Sequence, residues 1–202
     1  MEEFKNSNSV TLCGVMCEAP VFSHENRNEQ YYQFSLEVRR LSGNVDTVHI
    51  LARKQLLAAL EPDGEEKLCV KGELRSFNNK SGVGPRLVIT VYAREIFFCD
   101  DEDQNTVELC GALCRAPNLR TTPMGREICD LMLAVNRHYG RSDYLPCIAW
   151  GLNAREAAGW SVGQKLRLCG RIQSRGYTKL VDGQLQEKTA YEVSVISMEA
   201  EQ

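Results

Sequence analysis

Apolar and polar residues alternate along most of the chain, and a period of two is typical of half-buried strands. The clearest alternating runs of the second half lie at 107–111, 131–135, 145–149 and 191–195. Only two short segments, 54–60 and 153–158, show a helical pattern, and each lies between a third and a fourth strand pattern. The pattern therefore predicts an all-β protein with two short helices.

The chain also repeats itself, which indicates a tandem duplication. Residues 8–14 (NSVTLCG) return as 105–111 (NTVELCG), and the match continues through Cys17 and Pro20 to Cys114 and Pro117. We therefore predict one domain over residues 1–99 and a second over residues 104–202. The acidic run DDED at 100–103 is expected to be a solvated linker between them.

Five strands with one helix before the fourth strand is the order of an OB-fold. The dipeptide Asp182-Gly183 and the stretch 78–85 are expected to be the hairpin connections between strands four and five. The predicted architecture is two tandem five-stranded OB-fold barrels, each with one short helix between strands three and four. Such barrels bind oligonucleotides or oligosaccharides on the face of strands two and three.

Composition narrows the class of protein. Apolar residues at 43% and charged residues at 25% are ordinary globular values for a chain of 202 residues. No apolar run is long enough to cross a membrane and the amino terminus resembles no export signal, so a cytoplasmic protein is expected. Nine cysteines, an odd number, indicate reduced thiols in the core rather than disulfides.

Strand geometry assigns faces to the third strand of the second half, because successive side chains point to opposite sides. Leu145, Cys147 and Ala149 are expected inside the barrel, which leaves three large side chains outside: Tyr144, Ile148 and Trp150. On the fourth strand, the residues expected to project together are Arg171, Gln173, Arg175 and Tyr177. Aromatic rings that stack on bases, interleaved with arginines that contact phosphates, are typical of single-strand binding. Sealing of the barrel surface or a subunit contact is the alternative.

The first half does not repeat this pattern. Its aligned positions lack most of the aromatic rings, although Arg39, Arg53 and Arg75 could still contact phosphates. The whole chain has a net charge of −3, but residues 104–202 hold 12 basic against 10 acidic side chains, whereas residues 1–99 hold 12 against 13. We therefore expect the second domain to be the principal binding half and the first to be mainly structural.

The chain resembles, over nearly all of both halves, the bacterial single-stranded DNA-binding protein family, which has primosomal replication protein N as a relative. Three stretches of the second half carry the resemblance most clearly. These are the opening NTVELCG, the strand DYLPCIAWG at 143–151 and the segment GRIQSRGY at 170–177. The resemblance implies stacking aromatics at Tyr139, Tyr144, Trp150 and Tyr177. The charge pattern adds candidate phosphate contacts, namely Arg137, Arg141, Arg171, Arg175, Lys179, Arg39, Arg53 and Arg75.

The resemblance also implies what the chain does and how it assembles. We expect it to bind single-stranded DNA with little sequence preference in replication, recombination or repair, as a homodimer that presents four OB-folds. After the last predicted strand the sequence shows no acidic stretch like the family's partner-recruiting tail, so we expect recruitment through such a tail to be lacking. A protein-interaction or primosome-assembly module with weak nucleic-acid binding therefore remains the alternative. First strands pair between subunits in the family. If the two first strands of this chain pair in the same way, Cys13 and Cys110 approach each other and should crosslink on mild oxidation.

No catalytic or cofactor site is predicted. The three histidines are not arranged with a nucleophile and an orienting acid. The pair Cys13 and Cys17, which returns as Cys110 and Cys114, does not have the usual spacing of zinc ligands. We expect no enzyme activity, no metal and no cofactor.

Overall fold

A computed structural model describes residues 8–60, 66–79, 86–137, 140–181 and 184–201, with the side chains of 179–181 left out. Over these residues the chain forms two compact units. One comprises Asn8–Arg75 and Thr90–Glu108, and the other comprises Ser76–Ile89 and Leu109–Gln202. Ser76–Ile89, which belong to the first half of the sequence, therefore group with residues of the second half.

The first half is a closed β-barrel. Its elements are β1 (Asn8–Met16), β2 (Val21–Asn26), β3 (Glu29–Arg39), β4 (Val45–Arg53), α1 (Lys54–Ala58), β5 (Lys67–Asn78) and β6 (Leu87–Phe98). The strand order is β2-β3-β4-β6-β5-β1, and β1 also pairs with β3, which closes the barrel. The pairing of β4 with β6 is parallel, and the pairs β1–β3, β1–β5, β2–β3 and β3–β4 are antiparallel.

The second half repeats this arrangement. Its elements are β7 (Gln104–Leu113), β8 (Asn118–Thr121), β9 (Glu127–Asn136), β10 (Ser142–Trp150), α2 (Gly151–Ala157), β11 (Lys165–Val181) and β12 (Gln184–Ala200). The order is β7-β11-β12-β10-β9-β8, and a pairing between β7 and β9 closes the barrel. The tandem OB-fold prediction is thus confirmed, and the helices lie close to the predicted segments 54–60 and 153–158.

Over the described residues, each half has one strand more than the five predicted. The additional strands β2 and β8 are short, almost wholly exposed and lie at the sheet edge beside β3 and β9. Because neither face of such a strand is buried, its sequence carries no alternation to indicate it. Backbone pairing with the neighbouring strand stabilises these elements instead.

Glycines shared by the two halves allow the barrels to close. A Cβ atom at Gly14 would clash with the carbonyl oxygen of Glu37, and one at Gly111 would clash with that of Ala134. These are the places where β1 crosses β3 and β7 crosses β9. The repeated glycine therefore reflects a close approach of two backbones.

The acidic stretch 100–103 lies between β6 and β7, and its last residue is fixed by the first half. Asp103 accepts a hydrogen bond from the backbone N–H of Arg39 at 2.7 Å and pairs with the Lys67 ammonium at 2.9 Å. Burial alone would raise the pKa of Asp103, but Lys67 and Arg39 together hold the pKa below its ordinary value. The hydrogen bond to Asp103 in turn raises the pKa of Lys67.

Strands β11 and β12 form a long hairpin and remain paired up to the turn, where Val181 pairs with Gln184. The predicted turn residues Asp182 and Gly183 lie outside the described residues, as do 80–85 of the predicted turn in the first half.

Within the described part of the chain, no helix is long and apolar enough to cross a membrane.

Candidate nucleic-acid interface

Strand β10 presents two aromatic rings on one face. Tyr144 is 51% exposed and Trp150 is 36% exposed, whereas Leu145, Cys147 and Ala149 are buried in the barrel as expected. Six residues of strand separate the two rings, which corresponds to about 20 Å along the sheet. Two rings at this separation are too far apart to stack on one base. The third predicted ring of this region, Tyr139, lies outside the described residues.

Two residues expected on the exposed face are covered instead. Ile148 is 2% exposed and Gln173 is 6% exposed, so neither contributes to an open surface. The Gln173 amide donates a hydrogen bond to Glu192 Oε1 at 2.8 Å. Alternation along a strand gives the direction of a side chain but not what packs over that face, and this is why the expectation was wrong for both residues.

The start of β10 is anchored by a buried carboxylate. Asp143 is fully buried and pairs with the Arg137 guanidinium, whose Nε donates to Oδ2 at 2.7 Å. The same carboxylate accepts a hydrogen bond from the backbone N–H of Ser76 at 2.6 Å, and the Ser76 carbonyl accepts one from Arg137 at 3.1 Å. The Ser76 hydroxyl then accepts the backbone N–H of Tyr144 at 2.7 Å. A residue of β5 therefore fixes the backbone from which the Tyr144 ring projects.

The end of β10 is set by a glycine. Trp150 has extended backbone angles, and Gly151 follows with a φ of +56°, where α2 begins. A side chain at this position would be strained, because the left-handed region favours glycine. The sharp change of direction leaves the Trp150 ring at the rim of the barrel, partly open to solvent.

Strand β11 brings a third ring and a cation together. Tyr177 is 38% exposed, and the Arg175 guanidinium lies 5.9 Å from the centre of its ring. Arg175 also forms an ion pair with Glu192 at 3.4 Å, and its side chain remains 49% exposed to solvent. Lys188 on β12 lies directly opposite Tyr177, and it was not among the cations predicted from the sequence. The side chain of Lys179 lies outside the described residues.

The remaining cations of the second half differ in how far they are neutralised. Arg137 is committed to Asp143 and Ser76, which leaves little of it for a phosphate. Arg141 is exposed, and no ion pair to it is found among the described residues. Arg171 is half-buried, and its Nε has no hydrogen-bond acceptor in the part of the chain that the structure describes.

The three candidate arginines of the first half lie in separate surroundings. Arg39 has an exposed side chain near Asp103, and Arg75 is half-buried in an ion pair with Glu73. Arg53 is half-buried at the end of β4, opposite Tyr31 in the register. The three arginines thus do not form one cluster beside aromatic rings, unlike the pattern predicted for the second half.

The first half nevertheless carries an aromatic cluster that was not predicted from the sequence. Tyr31 stacks on His24, with ring centres 4.8 Å apart and nearly parallel, and lies 6.3 Å from Tyr92. The Arg94 guanidinium lies 4.7 Å from the centre of the Tyr92 ring. Burial, followed by the neighbouring Tyr92, raises the pKa of Tyr31. The adjacent pair Tyr31-Tyr32 was a visible signal, but it was not aligned with any ring of the second half.

A metal centre has no support in the described part of the chain. No group of three or more His, Cys, Asp or Glu side chains in that part is arranged to hold an ion. The exposed aromatic side chains in the described part of the second half are Tyr144, Trp150 and Tyr177, and Arg175 and Lys188 lie beside Tyr177. The fold that carries them is of the OB-fold class.

Comparisons with known proteins agree with this class. Residues 104–200 match the Single-strand binding protein family. Single-stranded DNA-binding protein 2 of Listeria innocua is 36% identical over 80 residues, which cover 36% of this chain and 50% of that protein. The single-stranded DNA-binding protein of Oceanobacillus iheyensis is 33% identical over 100 residues, covering 46% of this chain and 59% of that protein. The chain thus spans about half the length of the curated relatives it matches.

The fold as a whole matches a solved structure. The wild-type single-stranded DNA binding protein from Thermus aquaticus superposes with a TM-score of 0.80 at 21% identity, covering 98% of this chain and 94% of that one. This similarity extends the fold assignment to both halves. The second half of the chain, residues 104–200, is thus similar to the single-strand binding protein family.

Proposed function

We propose that this protein binds single-stranded DNA with little sequence preference, chiefly through its second domain. The observation that carries the proposal is the set of exposed rings, Tyr144, Trp150 and Tyr177, on the half that matches the family. Exposed aromatic rings are costly to leave in water, so their retention on two strands of one barrel favours a ligand with flat apolar faces. Nucleobases have such faces.

Stacking accounts for affinity without sequence selection. Each base stacked on a ring contributes about 1–3 kcal/mol, and all four bases offer a π-face. Arg141 and Arg175, together with Lys188, supply positive charge near the rings. Their contacts to phosphates add affinity that falls as salt rises. Arg137 acts by holding β10 in place rather than by contacting the strand.

The assembly and the cellular role follow from the same proposal. The curated relatives are named single-stranded DNA-binding proteins, and we infer the same ligand for this chain. Two OB-folds per chain imply a homodimer that presents four folds to the strand. Such an assembly covers exposed strands in the cytoplasm during replication, recombination or repair, with no chemical turnover.

Replacement of one ring tests the proposal against a matched control. Trp150→Ala removes a stacking surface, and Leu152→Ala removes an apolar side chain that is 81% exposed two residues further on. We expect Trp150→Ala to weaken binding of a labelled thymidine oligomer of about 35 nucleotides by roughly 5-fold to 150-fold, as loss of one stacked base implies. Leu152→Ala should leave the affinity unchanged. Equal affinity of the two variants would contradict the stacking surface.

Salt dependence separates strand binding from a protein-interaction module. A protein that neutralises phosphates loses affinity steeply between low and moderate salt, whereas an aromatic protein contact changes little. We expect a linear fall of log K with log salt for the thymidine oligomer and much weaker binding of duplex DNA. Absence of single-strand binding at low salt would leave the interaction module as the function.

A further inference from the structure

Three cysteines of the first half lie together, where β1, β5 and the end of β6 meet. Cys13 on β1 is paired with Cys69 on β5 in the register, and Cys99 immediately follows β6. The Sγ atoms of Cys13 and Cys99 lie 2.7 Å apart. The two thiols are therefore in direct contact, as donor and acceptor of a hydrogen bond.

We propose that Cys13 and Cys99 form an oxidation site, at which a hydroperoxide converts the two thiols into a disulfide within one chain. A disulfide requires a sulfur–sulfur distance of about 2.05 Å, so the two sulfur atoms have only about 0.7 Å to close. Both backbones are already held in place. Cys13 lies inside the β1–β5 ladder, and the backbone N–H of Cys99 donates to the Lys67 carbonyl at 3.1 Å.

Exposure assigns different roles to the two thiols. Cys99 is half-exposed and accessible to a peroxide, whereas Cys13 is 1% exposed. Burial, followed by the adjacent Cys99 sulfur, raises the pKa of Cys13 to about 12. The thiolate is the nucleophile in such reactions, so Cys99 reacts first and Cys13 is the resolving thiol.

The reaction with hydrogen peroxide balances in two steps. The Cys99 thiolate attacks one peroxide oxygen, the O–O bond breaks, and a sulfenic acid forms while the released hydroxide takes up a proton as water. The Cys13 sulfur then attacks the sulfenic sulfur, forms the S–S bond and displaces hydroxide, which leaves as water with the Cys13 proton. Two thiols and one peroxide thus give one disulfide and two waters. The high pKa of Cys13 makes the second step the slower one.

The bond would fasten the segment between the two halves to the first strand. That segment is already held by the contact of Asp103 with Lys67, and the Cys13 thiol lies 3.9 Å from the Asp101 carbonyl oxygen. A covalent link between residues this far apart in sequence restricts the unfolded chain strongly. We expect oxidation to raise the thermal midpoint by about 5 °C or more.

The experiment uses the full chain with the exposed thiols removed as Cys17→Ser and Cys114→Ser, because these could crosslink between molecules. The protein is treated with hydrogen peroxide, blocked with an alkylating agent and cleaved without reduction. Trypsin alone leaves Cys99 and Cys110 on one peptide. A second protease that cuts at acidic residues separates them, so mass spectrometry can assign each linked pair.

We expect a peptide pair linked through Cys13 and Cys99 as the main disulfide, together with the rise in thermal midpoint. Cys99→Ser, which changes a half-exposed side chain, should abolish both effects, and Cys69→Ser should retain both. A main crosslink from Cys13 to Cys69 or to Cys110 would overturn the proposal. Equal thermal midpoints before and after peroxide, with no linked peptide, would overturn it as well.

Discussion

The buried ion pair at the start of β10 gives the sharpest prediction about stability. Asp143→Ala removes a carboxylate that has two partners. It neutralises the Arg137 guanidinium, whose side chain is 26% exposed, and it accepts the backbone N–H of the buried Ser76. A buried donor left without an acceptor costs about 1–3 kcal/mol. Loss of one partner of a fully buried pair costs about 3–5 kcal/mol, and the partial exposure of Arg137 reduces this to about 2 kcal/mol. We therefore expect a fall in the free energy of unfolding of about 3–5 kcal/mol.

An exposed pair of the same chemistry is the control. Arg120 forms two hydrogen bonds to Asp130, as Arg137 does to Asp143, but both side chains are about two-fifths exposed, at 42% and 39%. An ion pair in water contributes about 0–1 kcal/mol, so Asp130→Ala should cost less than 1 kcal/mol. Urea unfolding followed by circular dichroism, at one protein concentration for all variants, measures both losses. Equal losses for Asp130→Ala and Asp143→Ala would refute the argument from burial.

Three further predictions concern single side chains. Ser76→Ala removes the hydroxyl that accepts the Tyr144 backbone N–H. We expect a clear loss of affinity for the thymidine oligomer with a small fall in melting temperature, and parallel titration and melting curves would show both. Arg175→Gln should reduce the slope of log K against log salt by about one, and an unchanged slope would mean that this arginine contacts no phosphate. Asp103, whose pKa is lowered chiefly by its hydrogen bond to Lys67 against the effect of burial, stabilises the fold above its unfolded pKa. That contribution is lost as the pH falls through the folded pKa, so acid unfolding should be steeper for the natural protein than for Asp103→Asn between about pH 5 and 2.

The sequence predicted the barrels and the exposed rings because both depend on local alternation. The inward and outward assignments were right for Leu145, Cys147 and Trp150, whose surroundings follow from strand direction alone. They failed for Ile148, because burial on that face depends on packing by other parts of the fold. The duplication could be detected from the sequence because its repeated segments include glycines. Gly14 and Gly111 lie where two backbones cross too closely for a side chain.

Side-chain contacts between residues far apart in the chain could not be predicted from the sequence. Ser76 is 67 residues from Asp143, and no spacing rule connects a serine of β5 with a carboxylate of β10. The stacked pair His24 and Tyr31 was missed because β2 is exposed on both faces and shows no alternation. The close contact of Cys13 with Cys99 spans 86 residues and was likewise not predicted.

Fluorescence of a single tryptophan tests the central claim most directly. Trp160→Phe leaves Trp150 as the only tryptophan, and Trp150→Phe leaves Trp160 as the control. We expect the thymidine oligomer to quench the first variant strongly at low salt and less at moderate salt, because a base stacks on the Trp150 ring. The control should respond weakly, and duplex DNA should quench neither. A thymidine oligomer that binds without quenching Trp150, or that quenches both variants equally, would contradict the proposed stacking surface.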